Sequence, residues 1–152
     1  MPLDGLDDTT IARILADTRR IALLGASKKP DRPAYSIQAL LQRAGYDVTP
    51  VNPGLAGQAL HGQTVVATID EAAPIDMIDV FRASAYLPGI VDDAIRLRAR
   101  TLWTQLGVID RQAGERARAA GITVVMDRCP SIEMRRLGIR PGDMPARTGT
   151  RR

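Results

Sequence analysis

The sequence contains few cysteine, histidine and aromatic residues, and these shortages exclude several classes of protein. The single cysteine, Cys129, rules out an internal disulfide and a metal site built from cysteines, and it fits a reducing cytoplasm. Aromatic residues make up 3% of the chain, which argues against the stacking platforms of proteins that bind single-stranded nucleic acid. No apolar run approaches the length of a membrane span, and the acidic N-terminus is unlike a signal peptide. We therefore expect a soluble cytoplasmic domain without membrane contact.

The length and charge favour one domain with an anionic partner. The chain of 152 residues is long enough for one domain with a substantial core, but short for a two-domain enzyme. The net charge is +4, and part of the excess lies in a basic tail at Arg147, Arg151 and Arg152. We predict a helical lead-in at 1–19, a central domain at 20–138 and a flexible basic tail at 139–152.

Short apolar runs alternate regularly with helical patterns along the central domain. The predicted strands are rich in Val, Ile and Leu, as expected of strands covered on both faces, and lie at 20–24, 47–51, 76–80, 101–105 and 122–126. Gly45 is predicted to end the first helix between them, Pro88 to begin the next, and Asp110 to cap a third. Residues 54–73 are predicted to form a loop with one short helical turn. The alternation predicts an α/β fold with a Rossmann-like, doubly wound parallel sheet in the strand order 3-2-1-4-5.

In such a sheet, ligands bind at the carboxyl ends of the strands where the strand order reverses, here between the loops after the first and fourth strands. The segments at the strand ends are 25–27, 52–53, 81–82, 105–107 and 127–130. The first loop combines a glycine turn, a helix start and the only two lysines of the chain, Lys28 and Lys29. Free backbone N–H groups and the helix dipole at such a turn favour an anion, so we predict a phosphate-bearing ligand.

The same loop argues against two common nucleotide sites. It has neither the G-x-G-x-x-G spacing of a dinucleotide site nor the G-x-x-x-x-G-K-[ST] pattern of a P-loop. The second strand is followed by Asn52 and Pro53, whereas an NAD site usually has an acidic residue there for the ribose hydroxyl. NAD is therefore disfavoured.

These segments resemble the small stand-alone CoA-binding domain proteins, which are related to the CoA-binding domain of the succinyl-CoA synthetase alpha subunit. The resemblance covers residues 20–137 in the right order, and it is carried by GAS at 25–27, PDRPAYS at 30–36, GY at 45–46, PVNP at 50–53, DVFR at 79–82, WTQLG at 103–107 and VMDRCP at 125–130. The combination of the last two segments is its most specific part. One departure is Ala34, where relatives often carry serine.

The resemblance implies that CoA or an acyl-CoA binds along the carboxyl edge of the sheet. Residues 25–27 would lie against the phosphates with Arg32 closing over them, residues 52–53 and 81–82 would shape the adenosine side, and residues 105–107 would flank the pantetheine. The candidate ligand-binding residues are Gly25, Ala26, Ser27, Lys29, Arg32, Ser36, Asn52, Pro53, Phe81, Arg82, Gln105, Leu106, Gly107 and Cys129.

The sequence leaves alternative functions open. We expect a non-catalytic carrier, sensor or regulatory module, because no Ser-His-Asp set or metal cluster can be assembled from the sequence; His61 is interpreted as a surface residue. Cys129 is either an inert packing residue or a thiolate, activated by Arg128 and a helix start, that reacts with the thiol of CoA. The alternatives are a CoA-dependent acyl-transfer or thiol-redox component using Cys129, and a nucleotide-binding regulator. A protein partner or homo-oligomer is compatible with the sequence. A nucleic acid partner is not expected, since only the arginine content and the basic tail support it.

Overall fold

The computed structural model describes residues 2–140 and contains a five-stranded parallel sheet covered by helices on both faces. The strands of this sheet are β1 Arg20–Leu24, β2 Asp47–Val51, β3 Met77–Val80, β4 Thr101–Thr104 and β5 Thr123–Val125. The helices are α1 Asp8–Asp17, α2 Pro33–Ala44, α3 Leu87–Arg96, α4 Arg111–Ala119 and α5 Pro130–Arg136. The predicted strands and the parallel α/β class are confirmed. The tail arginines Arg147, Arg151 and Arg152 lie outside the described residues.

The helix ends follow the local signals in the sequence. Asp110 caps α4, because its side chain accepts a hydrogen bond from the backbone N–H of Ala113 at 3.0 Å. Gly45 ends α2 in the left-handed conformation, with a φ of 110°. Both predictions are confirmed. None of the helices within residues 2–140 combines the length and the apolar character that a bilayer crossing requires.

The two faces of the sheet pack against different helices. One core cluster joins Ile78 of β3 to Ile90 and Val91 of α3. The other joins Met77, the neighbour of Ile78 on the same strand, to Ile37 and Leu41 of α2. Since successive strand residues point to opposite faces, α2 and α3 cover opposite sides of the sheet.

The predicted strand order is wrong, and the structure replaces it with 2-1-3-4-5. β3 pairs with β1 rather than with β2, so β2 lies at the edge of the sheet. Pro50 gives the physical reason, because proline has no N–H to donate to a second neighbouring strand and is confined to edge strands. On the outer side of β2 the carbonyl of Pro50 accepts a hydrogen bond from Val66, and the N–H of Asn52 donates to the carbonyl of Val66.

Residues 54–73 are more ordered than the sequence indicates. Two 3₁₀ helices, Pro53–Leu55 and Ile69–Ala72, flank a short hairpin of Ala59–Leu60 and Gln63–Thr64. The expected helical turn is present, whereas the hairpin was not predicted. This segment brings Thr68 and Ile69 to the carboxyl side of the sheet, where they line the site described next.

Candidate functional site

The strand order moves the candidate site to the loops after β1 and β3. In a 2-1-3-4-5 sheet the order reverses between these two strands, and their following helices leave toward opposite faces. The crevice predicted between the loops after the first and fourth strands is therefore corrected, because β3 lies between β1 and β4. The loop after β2 adjoins on the other side of β1.

Two adjoining pockets lie at this point, and we call them the larger lobe and the smaller lobe. The larger lobe has a volume of about 800 Å³ and is lined by Leu24, Val51, Ile69 and Ile90, among other residues. The smaller lobe, of about 340 Å³, is lined by Ser27, Lys29, Arg32, Ala34 and Phe81, among others. Gly25, Asn52 and Arg82 line both lobes. The two lobes therefore form one cleft along the carboxyl edge of the sheet.

Gly25 brings the loops after β1 and β3 into direct contact. Its φ is 93°, and a Cβ atom at this position would lie 2.7 Å from the carbonyl oxygen of Phe81. The N–H groups of Gly25 and Ala26 both donate to the carbonyl of Val51, at 3.1 Å each. The expectation that these two amides are free for phosphate is therefore wrong, since they hold the loop against β2. Among the described residues, the N–H of Ser27 has no hydrogen-bond acceptor.

Asn52 fixes the other side of this loop. Its Nδ2 donates to the carbonyl of Ala26 at 2.8 Å, and its Oδ1 accepts from the N–H of Gly54 at 2.8 Å. A carboxylate could make the second bond but not the first, because it has no proton to donate. An acidic residue at this position, as in typical NAD sites, would therefore lose the bond to Ala26. The asparagine both stabilises the loop and disfavours NAD.

The smaller lobe is surrounded by cations that lack ion-pair partners. Lys29, Arg32 and Arg82 line it, and within residues 2–140 none of them forms a salt bridge. No carboxylate is among its lining residues. The carboxylates of the larger lobe are instead held in ion pairs, because Asp70 and Asp93 share Arg96, and Asp92 pairs with Arg116. The cleft thus offers uncompensated positive charge on one side and a partly apolar space with ion-paired carboxylates on the other.

Arg32 and Ser27 are held by the local backbone. Arg32 precedes Pro33 and is extended, with φ −88° and ψ 138°, because proline sterically favours this conformation in the residue before it. The hydroxyl oxygen of Ser27 accepts from the N–H of Lys29 at 3.1 Å. That bond leaves the hydroxyl proton available to a ligand.

Comparison with known proteins identifies the family. The sequence matches the family described as the CoA binding domain over residues 19–135. The chain belongs to this family. It is 36% identical to YneT of Bacillus subtilis (strain 168) over 122 residues, which cover 80% of this chain and 90% of that protein.

The chain is also similar to proteins of known structure. A protein from Thermus thermophilus is 37% identical with a TM-score of 0.81, covering 87% of this chain and 99% of that chain. A hypothetical protein from Pyrococcus horikoshii OT3 is 36% identical with a TM-score of 0.84, covering 90% of this chain and 96% of that chain. Membership of the CoA-binding domain family implies a CoA-type ligand.

Not all of the predicted ligand residues meet in the cleft. Ser36 lies on the exposed side of α2, where its hydroxyl donates to the carbonyl of Pro33 at 3.3 Å. Leu106 is 58% exposed, whereas Gln105 is buried. Cys129 is half-buried at the start of α5 and packs against the core cluster on the α2 face. These residues and Gly107 line neither lobe, so their contact with a CoA-type ligand stays a prediction.

Two further residues differ from their expected surroundings. Arg128, which lies in the segment after the last strand and was considered as an activator of Cys129, is buried in ion pairs with Asp4 at 2.7 Å and Glu133 at 2.9 Å. It therefore fastens the N-terminal segment to α5 and is not available to an anion. His61 is half-buried rather than on the open surface, with its ring centroid 4.3 Å from that of Tyr35, and it lines neither lobe.

Sequence reasoning missed Tyr86, Thr68 and Ile90, all of which line the larger lobe. They do not directly follow a strand of the sheet, so the rule that ligands bind at strand ends does not select them. The signal that was available is Tyr86 itself, an aromatic residue between two apolar segments in a chain with few aromatic residues.

Asp79 is a fully buried acid in β3, one residue before the last residue of that strand. Its Oδ1 accepts a hydrogen bond from Nε2 of Gln105, and its Oδ2 has no partner among the described residues. Burial raises the pKa of Asp79 to about 7, although the hydrogen bond from Gln105 lowers it. The sequence singled out Gln105 as a candidate site residue but not Asp79. Asp79 lies within β3 and not in the loop after it, so the strand-end rule does not select it.

We expect Asp79→Asn to remove a pH dependence from the stability of the protein. In the unfolded chain Asp79 ionises near its ordinary pKa of 3.8, whereas the folded protein keeps it protonated until about pH 7. The folded state therefore loses stability as the pH rises between these values, by about 2–3 kcal/mol from pH 5 to pH 8. Urea unfolding at both pH values should show a smaller decrease for the variant than for the wild type. Equal decreases would contradict the raised pKa; all other groups titrate in both proteins and cancel.

Proposed function

We propose that this protein binds CoA or an acyl-CoA in the two-lobed cleft and acts as a non-catalytic carrier, sensor or regulatory module. The observation that carries the proposal is the set of three unpaired cations around the smaller lobe, directly beside a larger lobe that is partly apolar and whose carboxylates are ion-paired. CoA has a similar division, because its diphosphate and 3′-phosphate are charged whereas its adenine base is not. We place the diphosphate in the smaller lobe, where Arg32, Arg82 and Lys29 surround it, and the adenosine toward Asn52 and Pro53.

The lining of the cleft supports binding rather than turnover. The described residues that line the two lobes include cations, amides, hydroxyls, apolar side chains and three carboxylates held in ion pairs, but neither the cysteine nor the histidine of this chain. Within residues 2–140, no group of three or more His, Cys, Asp or Glu residues is placed to hold a metal ion. A carrier, sensor or regulatory module needs only the binding.

Isothermal titration calorimetry with CoA, acetyl-CoA, NAD and ATP tests the ligand class. We expect CoA or acetyl-CoA to bind more tightly than NAD or ATP, and the preferred ligand to raise the melting temperature. Binding of NAD without binding of CoA would overturn the proposal. A difference between CoA and acetyl-CoA would distinguish a carrier of the free thiol from a sensor of the acylated form.

The arginines of the smaller lobe provide the variant test. We expect Arg32→Ala and Arg82→Ala each to weaken CoA binding roughly 10- to 150-fold, the loss expected for one hydrogen bond to a charged group. Arg43→Ala is the matched control, because Arg43 is an exposed arginine in the last turn of α2, at the end away from the cleft. Melting of the apo protein should change little in Arg32→Ala. Affinity that is the same in all three variants would show that the phosphates bind elsewhere.

A further inference from the structure

We infer that Tyr86, together with Arg82, forms a stacking surface for the adenine base of the bound CoA. The inference rests on the proposed function and adds a recognition element to it. Neither the strand-end rule nor the family resemblance indicated Tyr86. Its assignment comes from the position of its ring at the larger lobe.

The Tyr86 ring is accessible to a ligand and already stacked on one charged group. Its side chain lines the larger lobe, and the residue is 53% exposed, unlike the buried Trp103 in the same protein. The guanidinium carbon of Arg82 lies 3.9 Å from the centroid of the Tyr86 ring. In such a contact the aromatic ring and the cationic guanidinium are both planar groups, and a nucleobase can stack on either of them.

The backbone that carries the ring is held in place on both sides. Tyr86 ends the 3₁₀ helix Ser84–Tyr86, and its N–H donates to the carbonyl of Ala83 at 3.0 Å. The hydroxyl of Ser84 donates to the carbonyl of Gly107 at 3.3 Å and accepts from the N–H of Ile109 at 2.9 Å. The next residue, Leu87, is fully buried at the start of α3. Because the turn is anchored before a ligand arrives, little backbone entropy is lost on stacking.

The charge distribution favours the base in the larger lobe over the diphosphate. The three carboxylates of this lobe, Asp70, Asp92 and Asp93, share two arginine partners, so the negative charge that remains would repel a diphosphate but not an uncharged base. Arg82 lines both lobes. A single CoA molecule can therefore place its diphosphate against one side of this guanidinium and its adenine beside Tyr86.

The test compares CoA with 4′-phosphopantetheine, which has the pantetheine and one phosphate but no adenosine. We expect Tyr86→Ala to weaken CoA binding roughly 5- to 150-fold, the range for loss of one base–aromatic stack. Tyr86→Phe, which keeps the ring, should bind CoA like the wild type. Ile132→Ala is the control for removal of an exposed apolar side chain, since Ile132 is 43% exposed on α5 and lines neither lobe.

The outcomes separate this inference from the proposed function. A loss of CoA affinity in Tyr86→Ala, with no change in its affinity for 4′-phosphopantetheine, supports stacking on adenine. The ultraviolet absorbance of the adenine should also fall when CoA binds the wild type, and not when it binds Tyr86→Ala. If the wild type binds CoA and Tyr86→Ala binds it with the same affinity, the stacking inference alone is overturned. An equal loss for both ligands also overturns it, because the ring would then support the cleft as a whole. A wild type that does not bind CoA overturns both proposals.

Discussion

Asp4→Asn is expected to lower the free energy of unfolding by about 3 kcal/mol, because it breaks a buried ion pair and leaves a guanidinium partly uncompensated. The Asp4 side chain is fully buried, and its two oxygens accept from Nε and Nη2 of Arg128 at 2.8 Å and 2.7 Å. Its Oδ2 also accepts from the N–H of Met126 at 3.0 Å. Arg128 retains Glu133 at 2.9 Å, which places the expected loss at the lower end for a buried pair. Urea unfolding at neutral pH measures it.

The effect of Asp4→Asn should also depend on pH in a defined direction. Burial raises the pKa of Asp4, but hydrogen bonds from Arg128 and from the N–H groups of Leu6 and Met126 outweigh it and leave the pKa below 3.8. A lowered pKa contributes stability that is complete above 3.8 and is lost as the pH falls through the folded value. The difference between wild type and variant should therefore shrink below about pH 4. If the difference in unfolding free energy between wild type and Asp4→Asn stays constant at low pH, the lost stability comes from packing and not from charge.

A matched exposed pair provides the control for Asp4→Asn. Asp92 pairs with Arg116 at 2.6 Å, but its side chain is 70% exposed, so water screens the interaction. Asp92→Asn should change stability much less than Asp4→Asn. Similar losses for the two variants would contradict the importance assigned to burial.

Gly25→Ala is expected to cost roughly 2–5 kcal/mol of stability, since two independent penalties act at this residue. The first is the φ of 93°, which an L-residue with a Cβ atom adopts only under strain. The second is the contact of 2.7 Å between that Cβ and the carbonyl oxygen of Phe81, which only a backbone shift can relieve. Because Phe81 precedes Arg82 in the cleft, the same shift should weaken CoA binding.

Gly57→Ala separates the two penalties. Gly57 has a φ of 89°, almost the same as Gly25, but no atom lies within 4 Å of its added Cβ. It should therefore show only the conformational cost, about 1–2 kcal/mol. The difference between the two variants in urea unfolding measures the clash with Phe81. Equal losses would show that the loops after β1 and β3 separate without cost.

Local patterns in the sequence predicted most elements of the fold, because strands and helix ends depend on neighbouring residues. Asp110 and Gly45 act at the helix ends where capping chemistry places them. The strand order depends on long-range pairing, and the sequence contained one relevant signal that was not used. Pro50 within the second strand argues for an edge position and therefore against 3-2-1-4-5.

The site was predictable where it follows from the ends of strands and not where it depends on distant partners. Gly25, Asn52 and Arg82 were predicted and meet in the cleft. The structural role of Arg128 was not predicted because its partner Asp4 is 124 residues away, and no local pattern reports that contact. Which amides of the glycine loop stay free depends on the carbonyl of Val51 in a neighbouring strand.

The single bridge between Val51 and Val66 has a consequence for self-association. Exposed edge strands are the usual templates on which sheets of separate molecules join and aggregate. At β2 an incoming strand would meet no N–H at Pro50, and it would have to displace Val66 to reach the N–H of Asn52. Extension of the sheet across the carboxyl half of β2 in a dimer or fibril therefore requires that the segment which contributes Thr68 and Ile69 to the larger lobe first separates from β2. Integrity of the cleft and protection from edge-to-edge aggregation are thus coupled through the same few hydrogen bonds.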